Sequence, residues 1–508
     1  MSSFKRKAGA CAGAAFLFLA LQGAASAGSS VVFQGQTFVN KGLVGVGRVA
    51  SNALDQYNET LGGFGSSMAL DLSAWKKGAD GAYTGVVWMQ PDRGWNTQGT
   101  TNYRSRAQRF EFRLTPHVGA PTLNQDQIAL TYRKSLLWAY GWTTGLDASR
   151  AYYPRQKDPA GVVLPHIPLG ETDRLAVDAE GLVLMKDRSF WVSDEYGPYV
   201  YHFSGTGMLI EAIRPPEAFA PKRKNKAGAL VDSFSADSPP VGETYNPAMG
   251  QPVVGRQNNQ GLEGLSLSPD GKTMFALLQS ALMQDLDADK RSTTRRNTRL
   301  LAYDMTGVTP KLKGEYVVQL PQYQDPTSTK AKLLVAAQSE LFALNDHQFL
   351  VLARDSGVGY GAALPASTYR SVDLVDISGA TNIAGSKYDA EGGSIAPKGV
   401  LDPAITPAAY QKFLDVNEAA ELAKFNLHNG LPNDRNDLYE KWESLALAPV
   451  MDPAAPNDYF LFVASDNDFI TQHGRMNGVD YADASGLDVD SMMLVYRVSL
   501  PTYAPPQR

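Results

Sequence analysis

The chain is almost devoid of cysteine. Of its 508 residues only Cys11 is a cysteine, and it lies close to the N-terminus. The rest of the chain therefore has no disulfide, no thiol nucleophile and no thiolate metal site. A small extracellular domain would depend on such cross-links, but a chain of roughly 480 residues buries enough apolar surface to fold without them.

Long apolar runs are also absent after the N-terminal segment, so no later transmembrane helix is expected. The N-terminus has the layout of a secretory signal: basic residues 5–7, an apolar run over residues 8–21, and small residues at Ala25-Ser26-Ala27. The run is too short for the alternative, a retained membrane anchor, and Cys11 stands near its start, unlike a lipoprotein cysteine. We expect residues 1–27 to be removed, a secreted or periplasmic location, and no stable membrane insertion afterwards.

The chain has no excess of positive charge. Without the three basic residues of the signal it carries 44 lysines and arginines against 52 aspartates and glutamates, a formal net charge of -8. This balance argues against nucleic acid as a partner.

Helical periodicity is nearly missing. The clearest stretch runs from Pro407 to Phe425, where apolar residues recur at helical spacing, and it predicts one short helical insertion. Elsewhere short apolar runs are separated by Gly, Asp, Asn and Pro, a pattern typical of strands and hairpins. The sequence thus indicates an all-β protein.

A repeated strand–turn–strand unit stands out against this background. In four copies a glutamate begins a strand whose alternate residues are apolar, and a second apolar strand follows the turn. The glutamates of these copies are Glu180, Glu263, Glu340 and Glu443. A fifth, weaker copy has Ser66 in the glutamate position. An acid at the end of a buried stripe needs water, a partner or a metal, and the mouth of a channel supplies one.

Sheets arranged radially around a channel form a β-propeller. A β-sandwich is the alternative, but it would not explain acids that recur at one strand position. The spacing of the copies leaves room for loop insertions. We therefore expect residues 28–508 to form a single propeller domain of about six blades, with seven as the alternative.

Several short motifs occur in a characteristic order between about residue 60 and about residue 470. They are Leu61–Gly63, Asp92–Asn96, Thr143–Asp147, Asp178–Gly181, Trp191–Pro198, Asn259–Leu265 and Asp466–Phe469. No single motif is specific, but the ordered set resembles the phytase-like family, described as "esterase-like activity of phytase". The resemblance implies hydrolysis of a phosphate ester or another ester.

The recurring acids are the main candidates for chemistry. Several carboxylates that converge on one mouth repel each other unless a cation lies among them, and calcium accepts six to eight oxygen ligands in irregular geometry. The candidate metal ligands are Glu180, Asp194, Glu195, Glu263, Glu340, Asp355, Glu443 and Asp466, with Asp468 beside them. The alternative is that these acids form ion pairs with arginines such as Arg93 and Arg354.

Three functions remain open from the sequence. The first is a metal-assisted phosphate-ester hydrolase, with Glu263 or Glu180 as acid–base residue and Arg93 or Arg354 stabilising developing charge. The second is a calcium-dependent lactonase or esterase, and the third is a ligand-binding propeller without catalysis. In the first two the partner is a small-molecule ester.

Other hydrolase and metal signatures are missing. The sequence has no G-x-S-x-G elbow, no H-E-x-x-H and no Walker motif. The acidic loop Asp285–Asp289 lacks the glycine and glutamate of an EF-hand, and we interpret it as a solvated loop.

Overall fold

The structure is a computed structural model that describes residues 28–97, 99–140, 143–144, 174–234 and 250–506. The expected signal peptide, residues 1–27, lies outside the described residues, as do residues 145–147 of the Thr143–Asp147 motif. Among the helices in the described ranges, none combines the length and apolarity needed to cross a bilayer.

The described residues form 29 strands and very little helix. The first strands are β1 (Ser30–Phe33), β2 (Gln36–Val49), β3 (Ser67–Lys77), β4 (Tyr83–Gln90), β5 (Arg106–Leu114), β6 (Ile128–Leu137), β7 (Thr143–Thr144), β8 (Leu175–Ala176), β9 (Ala179–Leu184), β10 (Phe190–Asp194), β11 (Val200–Phe203), β12 (Leu209–Ile213), β13 (Lys222–Lys224) and β14 (Leu230–Asp232). The next strands are β15 (Leu262–Leu267), β16 (Thr273–Leu278), β17 (Asn297–Asp304), β18 (Lys311–Gln319), β19 (Gln322–Gln324), β20 (Leu333–Val335), β21 (Ala337–Ala343), β22 (Gln348–Arg354), β23 (Arg370–Asp376) and β24 (Ala409–Asp415). The last are β25 (Trp442–Pro449), β26 (Asp458–Ser465), β27 (Gly474–Met476), β28 (Val479–Tyr481) and β29 (Ser491–Ser499). The helices are α1 (Arg291–Thr294) and α2 (Ala419–Ala423), with 3-10 turns at Glu217–Phe219, Met283–Asp285, Ala288–Lys290, Lys387–Asp389 and Pro397–Gly399.

Five antiparallel sheets are the blades of a propeller. Four of them are consecutive: β3 to β6, β9 to β12, β15 to β18 and β21 to β24 form blades 1 to 4. Blade 5 combines both ends of the chain in the order β25, β26, β29, β2, β1. In its ladder Val39 pairs with Ser499 and Val49 with Ser491. The N-terminal and C-terminal segments thus close the ring by pairing with each other.

The innermost strands show the propeller arrangement directly. Each of β3, β9, β15, β21 and β25 contacts the next, and β25 contacts β3. This closed ring excludes the sandwich alternative. It also corrects the expected blade number, because the described residues form five blades and not about six. The five repeat copies in the sequence are these five blades, and insertions between and within blades account for the remaining length.

Close approach of the inner strands explains the glycine that follows two of the repeat glutamates. A Cβ on Gly181 would lie 2.4 Å from Leu265 Cβ, and one on Gly264 would lie 2.7 Å from Leu341 Cβ. Real Cβ atoms do not approach so closely, so only glycine allows neighbouring blades to meet here.

The predicted helical insertion at 407–425 is wrong for most of its length. Ala409–Asp415 is β24, the outer strand of blade 4, and it pairs with β23 from Ser371 to Asp376. Only Ala419–Ala423 is helical. The helical spacing of the apolar residues is overridden by the hydrogen bonds that the edge of blade 4 offers to this segment.

Candidate functional site

A β-bulge recurs at the start of the inner strand in blades 2 to 5. The register of each strand shifts there, with one residue more than its partner strand. In blades 3 and 5 the extra residue is Glu263 and Glu443, and in blade 2 the bulge includes Glu180. A bulge re-aims a side chain at a sheet edge. The repeated glutamate and the repeated bulge are therefore one feature, which turns carboxylates towards the axis.

Blade 4 departs from this pattern by one residue. Its extra residue is Ser339, because Gln338 pairs with Ala353 and Glu340 with Leu352. Ser339, and not Glu340, is thus the structural counterpart of Glu263. A one-residue slip turns a side chain to a different face, and Glu340 consequently lies deeper in the channel.

Three of the repeat glutamates, Glu180, Glu263 and Glu443, line a polar cavity of about 290 Å³ at the end of the channel where the inner strands begin. We call this cavity the acidic mouth. Its charged lining residues are Asp92, Asp178, Glu180, Glu195, Glu263, Glu440, Glu443 and Asp468, with Arg93, Arg354 and Lys441. Eight acids against three bases leave a strong excess of negative charge in a largely buried space.

One lysine occupies a cluster of these acids. Lys441 Nζ lies 3.1 Å from Asp92, 2.6 Å from Asp466, 2.9 Å from Asp468 and 3.5 Å from Glu443. Burial lowers the pKa of Lys441, but the surrounding carboxylates outweigh it and hold the pKa well above its usual value. The ammonium group therefore stays charged and takes the place that a cation would have among Asp92, Asp466 and Asp468.

A second group of acids has no such ammonium at its centre. Oxygens of Asp92, Asp178 and Glu180 lie within 4.8 Å of one another. Asp178 is held by Arg93, whose backbone N–H donates at 3.1 Å and whose Nη1 lies 3.4 Å away. The Glu180 carboxylate receives no hydrogen bond from the described residues. These three residues could hold a metal ion.

The lining of the acidic mouth also includes residues with buried oxygen atoms that have no donor. Among the described residues, Glu195 Oε1, Glu263 Oε2 and Asn259 Oδ1 are buried and have no hydrogen-bond partner. Buried polar atoms normally have one. The unpartnered oxygens are hard donors of the type that calcium binds, so the acidic mouth fits a hard divalent cation.

Burial and mutual repulsion raise the pKa values of the acids at the mouth. The pKa of Glu180 is raised well above its usual range. Burial is the largest cause, followed by the negative charges of Glu263 and Asp178. The pKa of Glu195 is raised in the same way. That of Glu263 is raised by burial and by Glu443, against the opposing charges of Arg354 and Lys441. In the absence of a cation, burial and mutual repulsion therefore favour the protonated forms of these groups.

The backbone at the mouth is strained as well. Asn259, Asp468 and Phe469 have positive φ angles of 49°, 51° and 56°. Such conformations are uncommon for residues other than glycine and tend to cluster at functional sites.

The structure brings together seven of the predicted site residues in the lining of the mouth. These are Glu180, Glu195, Glu263, Glu443, Asp468, Arg93 and Arg354. Asp466 lies beside it and contacts Lys441. Arg354 is already engaged, since its Nε donates to Ser339 at 3.0 Å and its Nη2 to Glu443.

Three predicted metal ligands lie elsewhere. Asp194 accepts the backbone N–H groups of Asp178, Tyr196 and Gly197 within 3.0 Å, and burial raises its pKa to about 7. Asp355 accepts Ser367 Oγ at 2.7 Å and two backbone N–H groups. Both carboxylates are therefore occupied by hydrogen bonds from nearby loop residues and do not line the mouth. Glu340 is the third, displaced by the register described above.

Sequence reasoning missed Asp92, Asp178, Glu440 and Lys441 as site residues. A signal was present for two of them. Asp178 and Lys441 each stand two residues before a repeat glutamate, and polar residues beside the repeated acids are themselves a signal of a shared site.

The acidic loop Asp285–Asp289 is not simply solvated, as we had interpreted it. Asp285 is fully buried, 2.8 Å from Arg299 Nη2, and it accepts the Ile395 N–H at 2.7 Å. Asp287 accepts only from the Asp289 N–H in its own turn. The loop is a structural element of blade 3.

Two comparisons with known proteins match most of this chain. A family model for phytase-like proteins, described as esterase-like activity of phytase, matches residues 80–469. A protein of Arthroderma benhamiae described as an uncharacterized secreted protein is 45% identical over 466 residues, which cover 87% of this chain and 90% of that protein.

Two solved structures are similar at low identity. A luciferin-regenerating enzyme is 9% identical, with a TM-score of 0.25 over 90% of this chain and 97% of that one. A calcium-binding protein, regucalcin, from Agrobacterium tumefaciens is 11% identical, with a TM-score of 0.20 over 66% of this chain and 81% of that one. These TM-scores are too low for either structure to inform the site.

Proposed function

The chain belongs to the phytase-like family, and from that premise we propose that its acidic mouth binds a hard divalent cation, calcium by preference, and hydrolyses an ester there. A phosphate monoester is the first substrate class to test. The observation that carries the proposal is the close group of Asp92, Asp178 and Glu180 in a cavity whose lining also holds buried, unpartnered oxygens.

The donor set favours one cation rather than two. Lys441 already provides the positive charge among Asp92, Asp466 and Asp468. Asp92, Asp178 and Glu180 would hold the metal, and Glu195 and Asn259, which line the same cavity, would be the residues to supply further oxygens. When bound, such a cation would polarise a phosphoryl or carbonyl oxygen of the substrate.

Glu263 is the residue best suited to accept a proton from the attacking water. Its Oε1 is fixed by a hydrogen bond from Gln279 Nε2, while its Oε2 has no partner. Burial and the charge of Glu443 raise the pKa of Glu263, and a base with a raised pKa accepts a proton more readily.

Arg93 is better placed than Arg354 to stabilise negative charge that develops on the substrate. Its Nε and Nη1 are buried and make no hydrogen bond among the described residues, whereas Arg354 donates to Ser339 and Glu443. Donors that are already oriented towards a cavity act on developing charge without reorganisation.

The size of the mouth limits the substrate. Pockets that enclose whole small molecules usually measure about 300–1,000 Å³, and the acidic mouth measures about 290 Å³. It would admit a single phosphoryl or acyl end, and the rest of the substrate would remain outside. All three basic residues at the mouth also contact acids, which disfavours a highly phosphorylated substrate.

A substrate panel tests the proposal. Phosphomonoesters, phytate, simple esters and lactones are assayed with calcium and with a chelator, and we expect turnover that the chelator abolishes. Glu263→Gln should lower the rate by roughly 10²- to 10⁴-fold, because glutamine cannot accept the proton. Asp287→Asn, which lies outside the mouth, is the control and should keep the wild-type rate.

The same experiment separates catalysis from binding. The engaged state of Arg354 and Lys441 favours a second candidate, a propeller that binds its ligand without turnover. Calcium at a hundredfold excess over its dissociation constant should stabilise the fold by about 2.7 kcal/mol in either case. A thermal shift without any turnover would support binding, and wild-type turnover in Glu263→Gln would place the base elsewhere.

A further inference from the structure

A second and larger cavity lies at the opposite end of the channel. The inner strands start at the acidic mouth, and residues further along each of them, with the turns after β9 and β15, line a space of about 530 Å³. We call it the distal cavity. Every blade contributes an apolar side chain to it, including Leu70, Leu184, Leu267, Phe342 and Leu447. Its volume is in the range of small-molecule sites, which are mostly apolar.

The inner end of the distal cavity offers no free polar group. Glu340 lies there, and its Oε2 accepts Ser67 Oγ at 2.6 Å while its Oε1 accepts the N–H groups of Leu265 and Leu341 at 3.2 and 2.8 Å. These bonds join blades 1, 3 and 4 across the axis. A ligand that enters from the outside therefore meets only apolar surface at depth.

The outer rim carries charge, and one positive charge is uncommitted. Asp187 accepts the N–H and Oγ of Ser189 at 3.0 and 2.6 Å. Asp270 accepts Ser268 Oγ at 2.6 Å and lies 3.4 Å from Lys272 Nζ. Lys186 also lines the cavity, is exposed, and forms no hydrogen bond or ion pair with the described residues.

The C-terminal segment completes the wall. Tyr503 lines the cavity and is only 6% exposed. Its ring packs against those of Phe342 and Tyr459, with ring centroids 5.8 and 4.8 Å apart. The cavity is thus a built feature of the fold and not a gap between mobile loops.

We propose that the distal cavity binds a singly charged anionic amphiphile, with its apolar body in the channel and its anionic group at Lys186. The apolar lining and the saturated Glu340 carboxyl select the body of the ligand. The ammonium group of Lys186 selects the sign of the head group, because an anion gains an ion pair there, whereas the rim carboxylates that a cation would meet, Asp187 and Asp270, already accept hydrogen bonds. This site is separate from the acidic mouth and does not depend on its chemistry.

Decanoate is the probe, with decanol and decyltrimethylammonium as neutral and cationic analogues of the same chain length. Each is titrated into the purified full-length protein by calorimetry, below its micelle-forming concentration. We expect decanoate to bind with one site per chain and more tightly than either analogue. Failure of decanoate to bind, or equal affinity for all three, overturns the proposal.

Two variants locate the site. Lys186→Glu should weaken decanoate binding by roughly 2- to 5-fold or more, the range of an exposed ion pair, whereas Lys76→Glu, an exposed lysine away from the cavity, should not. Leu267→Trp should fill the cavity and abolish binding, and Leu184→Trp replaces it if that variant has a lowered thermal midpoint. Unchanged binding in a folded tryptophan variant also overturns the proposal.

Discussion

Replacement of Glu340 by glutamine tests the electrostatics of the channel in isolation. Burial raises the pKa of Glu340 to about 8, although Ser67 and the N–H groups of Leu341 and Leu265 oppose the shift. An unfolded glutamate titrates near pH 4.3. The folded protein therefore holds a proton on this carboxyl over several pH units in which the unfolded chain has lost it.

The sign and size of the effect follow from that difference. The stabilisation is complete below about pH 4.3 and is lost as the pH rises through about 8, because the folded state then has to bury a charge. Between about pH 5 and 8 the folded state binds one more proton, and the free energy of unfolding falls by about 1.4 kcal/mol per pH unit from this group. Glutamine keeps a carbonyl that can accept the N–H groups of Leu265 and Leu341 but does not titrate.

Urea unfolding at pH 5, 6, 7 and 8, in the presence of a chelator, measures the difference. The free energy of unfolding of Glu340→Gln should rise relative to that of the wild type by about 1.4 kcal/mol per step from pH 5 to 7, and by less from pH 7 to 8, where the folded carboxyl itself begins to ionise. Asp480→Asn is the control, because the Asp480 side chain is 81% exposed, and its profile should run parallel to that of the wild type. A parallel profile for Glu340→Gln would refute the reasoning.

Three further predictions concern the cation and the N-terminus. Lys441→Met should cost about 3–5 kcal/mol of stability in chelator, since it leaves buried carboxylates without their cation, and it should raise calcium stoichiometry from one to two by calorimetry; an unchanged value for both would contradict the role of Lys441. Calcium binding at pH 7 should release protons, because Glu180 and Glu195 have raised pKa values. Calorimetry in two buffers of different protonation enthalpy measures that release, and equal binding enthalpies in the two buffers would contradict the prediction. The exported protein should begin at Gly28 by intact mass, and a mass that includes residues 1–27 would show a retained segment.

Much of the fold could be predicted from the sequence, because each blade repeats the same strand–turn–strand pattern. All five copies correspond to inner strands of blades. The blade number was overestimated: no sixth copy of the repeat accompanied the expectation of about six blades, and the residues beyond the five copies form insertions such as the β13–β14 and β27–β28 hairpins. The strand nature of Ala409–Asp415 depends on its pairing with β23, a long-range contact that local periodicity does not encode.

The candidate site was predictable in kind but not in every member. Repetition indicated that Glu180, Glu263 and Glu443 converge. Glu340 does not converge with them, because a bulge at Ser339 shifts the strand by one residue. No pattern in the sequence marks that bulge. Asp194 and Asp355 do not line the mouth either, because their carboxylates accept backbone N–H groups of nearby loops. Whether an acid faces a cavity or its own loop depends on loop conformation, which sequence alone does not specify.

The pairing of β2 with β29 has a consequence for how the protein is made. Val39 and Ser499 are neighbours in blade 5 but lie near opposite ends of the chain. At roughly 5–20 residues per second, β2 leaves the ribosome on the order of 20 to 90 s before its partner exists. During that time the edges of β2 are available to other chains, and the ring cannot close. A truncation that removes β29 should therefore yield an open and aggregation-prone ring, and not merely a propeller that lacks one strand.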